Sequence, residues 1–338
     1  MAAGLHLGVG MLGGFAVTSA VLGVKRRYDF AGKVAVVTGG SRGLGLALAR
    51  ELARRGARLA LCARDEAELE DARRELQDAG ADVFVAPCDV SNQDDVRHFV
   101  QRVRETLGQI DVLVNNAGVI EVGPLEAMDE SDFEEAMQTH FYGPLYFSLE
   151  IAPELRRRRD GRIINISSVG GKVAVPHLAP YCASKFALTG FSDSLRSELA
   201  KDNVYVTTVC PGLLRTGSAL HAKFKGKALE EYALFKRGAV LPLVTMEPSR
   251  AARRIINASS YGRAELILTP QAKLAVKARA LFPELVLNTT GLVERFLPNA
   301  HGGTTEQIPG EDLEPPRGGS VFDRLLRYTA LRFNEYRA

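Results

Sequence analysis

The sequence predicts an α/β chain built on a doubly wound parallel sheet, a single domain with an N-terminal hydrophobic helix and a C-terminal helical extension. Short apolar runs at 33–38, 58–62, 82–86, 111–114, 162–166 and 204–209 have the length of buried strands, and amphipathic stretches such as 46–55, 66–78 and 94–107 alternate with them. Such alternation implies right-handed βαβ crossovers and a sheet covered by helices on both faces. With 338 residues, 46% hydrophobic and 25% charged, the chain can bury a substantial core, which excludes wholesale disorder and a small disulfide scaffold. Lys+Arg 43 against Asp+Glu 40 leaves a net charge of +3, so no global basic field points to nucleic acid as partner.

Residues 1–24 contain no Lys, Arg, Asp or Glu, and the run ends at Lys25, Arg26 and Arg27. The mostly apolar part, Leu5 to Val24, reaches about 30 Å as a helix rising ~1.5 Å per residue, roughly a bilayer's hydrocarbon thickness. Positive charge after the apolar run, rather than before it, favours an uncleaved anchor (1–28) with the catalytic portion facing the cytoplasm. Its many glycines weaken that reading and leave a loosely attached helix as the alternative. Catalytic chemistry is expected in 29–270, followed by a helical extension (271–300), a Gly-, Pro- and acid-rich flexible linker (301–320) and an amphipathic helix (321–338). That last helix either docks on the domain or lies on a membrane surface.

At the end of the first strand stands Thr38-Gly39-Gly40-Ser41-Arg42-Gly43-Leu44-Gly45, followed directly by a helix-forming run. Missing β-carbons let the backbone turn tightly and approach a pyrophosphate, whose charge is met by amides at the helix N-terminus. Gly39, Ser41, Arg42, Gly43, Leu44 and Gly45 are therefore candidate dinucleotide contacts in a Rossmann-type sheet. The second strand ends at Ala63-Arg64-Asp65. A base there suits the 2′-phosphate of NADP, and Arg42 can add a second positive charge; Asp65 either faces the ribose or caps the next helix. The cysteines Cys62, Cys88, Cys182 and Cys210 lack metal-ligand spacing and read as small buried hydrophobes. No metal is expected.

From here the sequence resembles the short-chain dehydrogenase/reductase family over roughly residues 33–270. Beyond the glycine loop, the resemblance implies adenine contacts for Asp89 and Val90. It identifies Asn115-Asn116-Ala117-Gly118 as the family's NNAG motif, with Asn116 beside the cofactor, and Ser168, Tyr181 and Lys185 as its catalytic Ser and YxxxK elements. Pro211, Gly212 and Thr216 then fall at the nicotinamide end. Dimers or tetramers are also implied. The chemistry can be read from the residues as well. Tyr181 and Lys185, four apart in a helix-compatible run, share one helix face, and an ammonium beside a phenol favours phenolate, lowering its pKa toward the working pH. That makes Tyr181 a proton donor or acceptor, Ser168 a hydrogen-bonding group for the substrate oxygen, and Lys185 also a holder of the nicotinamide ribose. Where the family often has Asn, this chain has His140, which either continues a proton relay or is structural.

Residues 213–247 correspond to the family's substrate lid. Their apolar and aromatic side chains, including His221, Phe224, Tyr232, Phe235 and Leu241, suit a lipophilic carbonyl or alcohol, although a lid packing on its own core would look the same. Arg156 to Arg159 read as a solvated helix C-terminus, with anionic headgroups as the alternative. The expectation is an NADP-dependent carbonyl/alcohol oxidoreductase; the rival is a silent NADP-binding sensor or interaction module that keeps the fold.

Overall fold

The computed structural model describes residues 27–240, 245–314 and 321–335. The expected anchor helix falls almost wholly outside them, and among the described residues no helix is long and apolar enough to cross a membrane.

In chain order the Rossmann-type core contains β1 (Val34–Thr38), α1 (Gly43–Arg54), β2 (Arg58–Ala63), α2 (Glu66–Asp78), β3 (Val83–Pro87), α3 (Gln93–Leu107), β4 (Val112–Asn115) and β5 (Glu121–Val122). Then come α4 (Glu130–Met137), a π-helical turn (Gln138–Tyr142), α5 (Gly143–Arg158), β6 (Gly161–Ile166), α6 (Ala179–Leu199) and β7 (Val204–Cys210). The lid region supplies α7 (Ser218–His221), β8 (Lys223–Gly226) and α8 (Ala228–Val240), after which α9 (Pro248–Ser260) and β9 (Glu265–Ile267) complete the core. The C-terminal part holds α10 (Pro270–Leu281), α11 (Pro283–Glu294), β10 (Thr304–Pro309), α12 (Gly310–Leu313) and α13 (Val321–Arg332).

Seven strands pair in the order β3-β2-β1-β4-β6-β7-β9, every pair parallel. Because side chains alternate along a strand, β1 feeds both faces at once. Ala35 and Val37 pack with Leu46, Leu52 and Ile255 on one side, and Val34 and Val36 with Phe99, Phe147 and Ile151 on the other. The strand order reverses between β1 and β4, and open α/β sheets bind ligands in the crevice at that switch point. The glycine loop follows β1 there, facing the residues after β4.

Three terminal expectations are refined. Within 301–320, read as a flexible linker, β10 pairs antiparallel with β8, which also pairs parallel with β5 to make a second, three-stranded sheet. Composition suggested a solvated tether, but the partner strand lies about eighty positions away in sequence and supplies the hydrogen bonds that order it. The last helix, α13, docks on the domain: Leu326 and Ala330 are fully buried in the lid's apolar cluster. By contrast α10 and α11 leave Leu274, Leu281, Phe282 and Leu285 mostly exposed. The arginine run closes α5 as a helix terminus, with Arg156 paired to Asp202 at 2.8 Å and Arg158 to Asp111 at 3.1 Å. All four cysteines are free and buried.

Candidate active site and dinucleotide cleft

The cleft is assembled by the backbone first. Gly43 adopts φ +58, and a β-carbon on Gly45 would sit 1.9 Å from the Gly39 carbonyl oxygen, so only glycine lets α1 start this close to the strand end. Thr38 and Asn116 then tie the loop to the NNAG segment. Thr38 Oγ1 accepts from the Asn116 and Ala117 amides at 2.9 and 3.0 Å, and Asn116 Nδ2 donates to the Thr38 and Gly39 carbonyls at 3.0 and 3.1 Å. The result is a rigid cradle without side chains, of the kind that fits a pyrophosphate against a helix N-terminus.

At the ribose end, Arg64 is exposed just past β2 beside the small, half-buried Ala63. Asp65 is the helix cap, accepting from the Glu68 amide at 2.8 Å. Arg42, expected to face a 2′-phosphate, instead pairs with Glu68 at 2.5 Å, while Ser41 Oγ donates to the other Glu68 oxygen at 3.0 Å. Sequence reasoning did not single out Glu68; an acid three positions past the Asp65 cap points back to the loop, which was the available signal. Asp89 is engaged with Ser91 at 2.7 and 2.9 Å, and Val90 is buried against Gly143 at the start of α5.

On the opposite side of the cleft, Ser168 follows β6, and its Oγ accepts from the Gly170 amide at 3.0 Å. Tyr181 and Lys185 project from the same stretch of α6 near the end of β6, and Ser168 acts to lower the Tyr181 pKa. Lys185 Nζ donates to the Ile166 carbonyl at 3.0 Å and lies 5.6 Å from the Tyr181 ring centre. Burial overrides the expected effect of the ammonium on the phenol. It pushes Tyr181 up to about 12 against the opposing Ser168 hydrogen bond, and pushes Lys185 down to about 7. At neutral pH the phenol therefore holds its proton. Pro211 accepts from the Val169 amide at 2.8 Å, which joins the loops after β6 and β7, and Thr216 is buried with its Oγ1 accepting from Ser218 at 3.2 Å.

His140 lies on the π-helical turn, fully buried and edge-on to Tyr181 with ring centres 5.3 Å apart. Val119 N–H donates to Nε2 at 3.1 Å, so Nδ1 carries the proton and donates to Ser184 Oγ at 2.8 Å; that hydroxyl in turn donates to the Tyr181 carbonyl at 2.9 Å. Burial, helped by Lys185, holds the imidazole well below its usual range. Both ring nitrogens thus have protein partners, and the neutral ring lies edge-on to Tyr181.

The lid's largest aromatic residues turn into its own core. Phe224 and Tyr232 are fully buried in the lid's own cluster with Ala219, Leu220 and Leu326, and Leu241 lies outside the described residues. Another unexpected feature is His177, held between Glu231 at 2.6 Å and Glu294 at 3.0 Å. Burial opposes its charge, but the two carboxylates outweigh it and raise its pKa. This bridge fastens α8 and α11 to the segment before α6.

The short chain dehydrogenase family model matches residues 33–224. A dehydrogenase/reductase SDR family protein 7-like of Drosophila melanogaster is 34% identical over 271 residues, covering 77% of this chain and 80% of that protein. Its namesake in Anopheles gambiae is 40% identical over 197 residues, 56% of this chain and 62% of the relative. An 11-beta-hydroxysteroid dehydrogenase A of Sesamum indicum is 39% identical over 198 residues, 58% of this chain and 56% of that protein. Against some curated relatives, then, the matched part spans less than two thirds of their length. Among solved structures, a short chain dehydrogenase/reductase from Burkholderia phymatum in complex with NAD superposes with a TM-score of 0.71 at 27% identity, covering 76% of this chain and 96% of its own. A metagenomic short-chain oxidoreductase in complex with NADP gives 0.59 at 33%, covering 72% and 99%. With the glycine loop, the NNAG segment and the Ser–Tyr–Lys group converging on one cleft, and a family match over more than half of its length, this chain belongs to the short-chain dehydrogenase/reductase family of oxidoreductases.

Proposed function

We propose that the protein interconverts a carbonyl and an alcohol using NADP, with reduction as the favoured direction and a lipophilic molecule as substrate. The observation that carries this is the placing of Tyr181, a phenol that holds its proton at neutral pH, with Lys185 Nζ 5.6 Å from its ring centre and Ser168 at the end of β6, in a chain that also has the glycine loop after β1. A bound nicotinamide supplies or accepts the hydride. The chain's own groups do the rest. Ser168 orients the substrate oxygen by hydrogen bonding, Tyr181 gives that oxygen its proton as negative charge develops, and Lys185 stabilises the phenolate left behind. His140 positions Tyr181 through Ser184 without touching the reacting atoms. The reading is tested by following NADPH consumption against a panel of lipophilic ketones and aldehydes, with Tyr181→Phe as comparison.

Arg64 supports NADP over NAD because it stands exposed at the strand end where an NAD-binding site would present an acid. Arg42 adds charge nearby, partly offset by Glu68. Both cofactors occur among the structural relatives, so the residue at 64 is the one to change. In Arg64→Asp, NADPH affinity is expected to fall ~10–100-fold, the loss of one or two charge-assisted hydrogen bonds, with little change for NADH. Equal losses for the two cofactors refute the assignment.

A lipophilic substrate is supported by the steroid named in the Sesamum relative and by the apolar side chains exposed on α10 and α11. The uncharged run at 1–24 supports membrane attachment, which would concentrate such substrates. The full chain is expected to resist carbonate extraction from membranes and the chain lacking 1–28 to be released. A full chain that is freely extracted counts against the anchor.

A further inference from the structure

Residues 333–335 enter the cleft that the glycine loop forms. After α13, Phe333 is buried in the main core, and its carbonyl accepts the Gly43 amide at 2.8 Å. Asn334 then turns through φ +55 and donates from Nδ2 to the Ser41 carbonyl at 3.0 Å and the Glu68 carbonyl at 3.2 Å. Glu335 follows with its carboxyl group in the cradle. Oε2 accepts from the Gly217 amide at 2.5 Å, Oε1 lies 3.0 Å from the place of a β-carbon on Gly43, and the Glu335 carbonyl accepts from His221 Nε2 at 3.0 Å. Three consecutive residues thus span from the glycine loop to the loop after Thr216.

A cradle of backbone amides at a helix N-terminus binds a negatively charged group. Here the chain's own Glu335 carboxyl fills the space against Gly43, and the Gly43 amide is taken by the Phe333 carbonyl. We propose that Phe333–Glu335 is an autoinhibitory strap in which Glu335 competes with the pyrophosphate of the dinucleotide, so that cofactor binding requires the strap to leave. This rests on the dinucleotide reading of the cleft. Strap and pyrophosphate need the same space against Gly43, so apparent affinity for cofactor is reduced by the fraction of molecules with the strap released.

The seat also responds to protons. Burial raises Glu335 from an ordinary 4.5 to about 8, with the Gly217 amide and Arg42 opposing the rise and Glu68 adding to it. The other facing group, His221, is pushed down to about 4 by burial and Arg42, so it stays neutral across the window that matters. The seated carboxyl therefore holds a proton that the released one gives up above about 4.5. Seating is fully favourable at low pH and weakens as pH rises through about 8.

The test is NADPH and NADH affinity, by calorimetry at pH 7 and pH 9, for the full chain, for Glu335→Ala, and for a chain ending at Phe333, which keeps α13 and its buried anchor. Hydrogen exchange of the C-terminal peptide is followed in the full chain with and without NADPH. A strap seated nine-tenths of the time predicts an NADPH Kd about tenfold lower in both variants at pH 7, a smaller gap at pH 9, and faster exchange at 333–335 when NADPH binds. Equal or weaker binding in the variants, or protection of that peptide by NADPH, overturns the strap alone. Failure of every form to bind either dinucleotide overturns the strap together with the reading of the cleft.

Discussion

Tyr181→Phe is expected to lower turnover by ~10²–10⁴-fold while leaving NADPH affinity essentially unchanged. The change removes one oxygen from a ring that stays packed against His140 at 5.3 Å, so the cleft keeps its shape. What disappears is the phenolic proton beside Lys185. Because burial keeps that hydroxyl protonated, its loss removes the donor itself rather than shifting a titration. Stability should fall by no more than about 1 kcal/mol, the ordinary net value of a hydrogen bond. Turnover within a few fold of the unaltered protein would remove Tyr181 from the chemistry. Binding that fails alongside turnover would show that the hydroxyl is also needed to hold the cofactor.

The second large effect is predicted at a residue with no functional group. Gly45→Ala adds a single β-carbon, which would lie 1.9 Å from the Gly39 oxygen and 2.7 Å from Asn116 Nδ2. Neither neighbour can step aside cheaply. The first is backbone in the cradle, and the second is fixed by two hydrogen bonds to the same loop. We expect about 3 kcal/mol of lost stability, read from the denaturant midpoint, and at least a tenfold loss of dinucleotide affinity as the helix start is pushed away. Gly190→Ala, inside α6 where an added β-carbon meets nothing within 4 Å, is the matched control. It should be neutral or stabilising by up to about 1 kcal/mol. Similar losses at both positions would show that the close approach at Gly45 is not what the loop depends on.

Much of this was legible because the signals are local. Apolar runs of strand length gave the order of elements, and glycines between a strand and a helix gave the cradle. What escaped the sequence depends on depth or on distant partners. Spacing placed Lys185 beside Tyr181, but spacing carries no measure of burial, and burial outweighs the charge. The contacts of His140 with Val119 and Ser184 could not be read from spacing, because those partners lie 21 and 44 positions away. Arg42 looked available to a phosphate because its partner Glu68 sits in another helix. The acidic, Pro-containing stretch near 301–320 resembled a tether because β8, which orders part of it, is far away in the chain.

That last pairing bears on how the molecule is made. The seven-stranded sheet is complete once residue 267 has emerged. The small sheet, however, brings together 121–122, 223–226 and 304–309, and the lid cluster also waits for Leu326 and Ala330. Long loops must close before those contacts form. During synthesis the core can therefore settle first, while the lid takes its final form only when the last tenth of the chain arrives. A ribosome that stops early leaves a folded sheet with an unfinished lid.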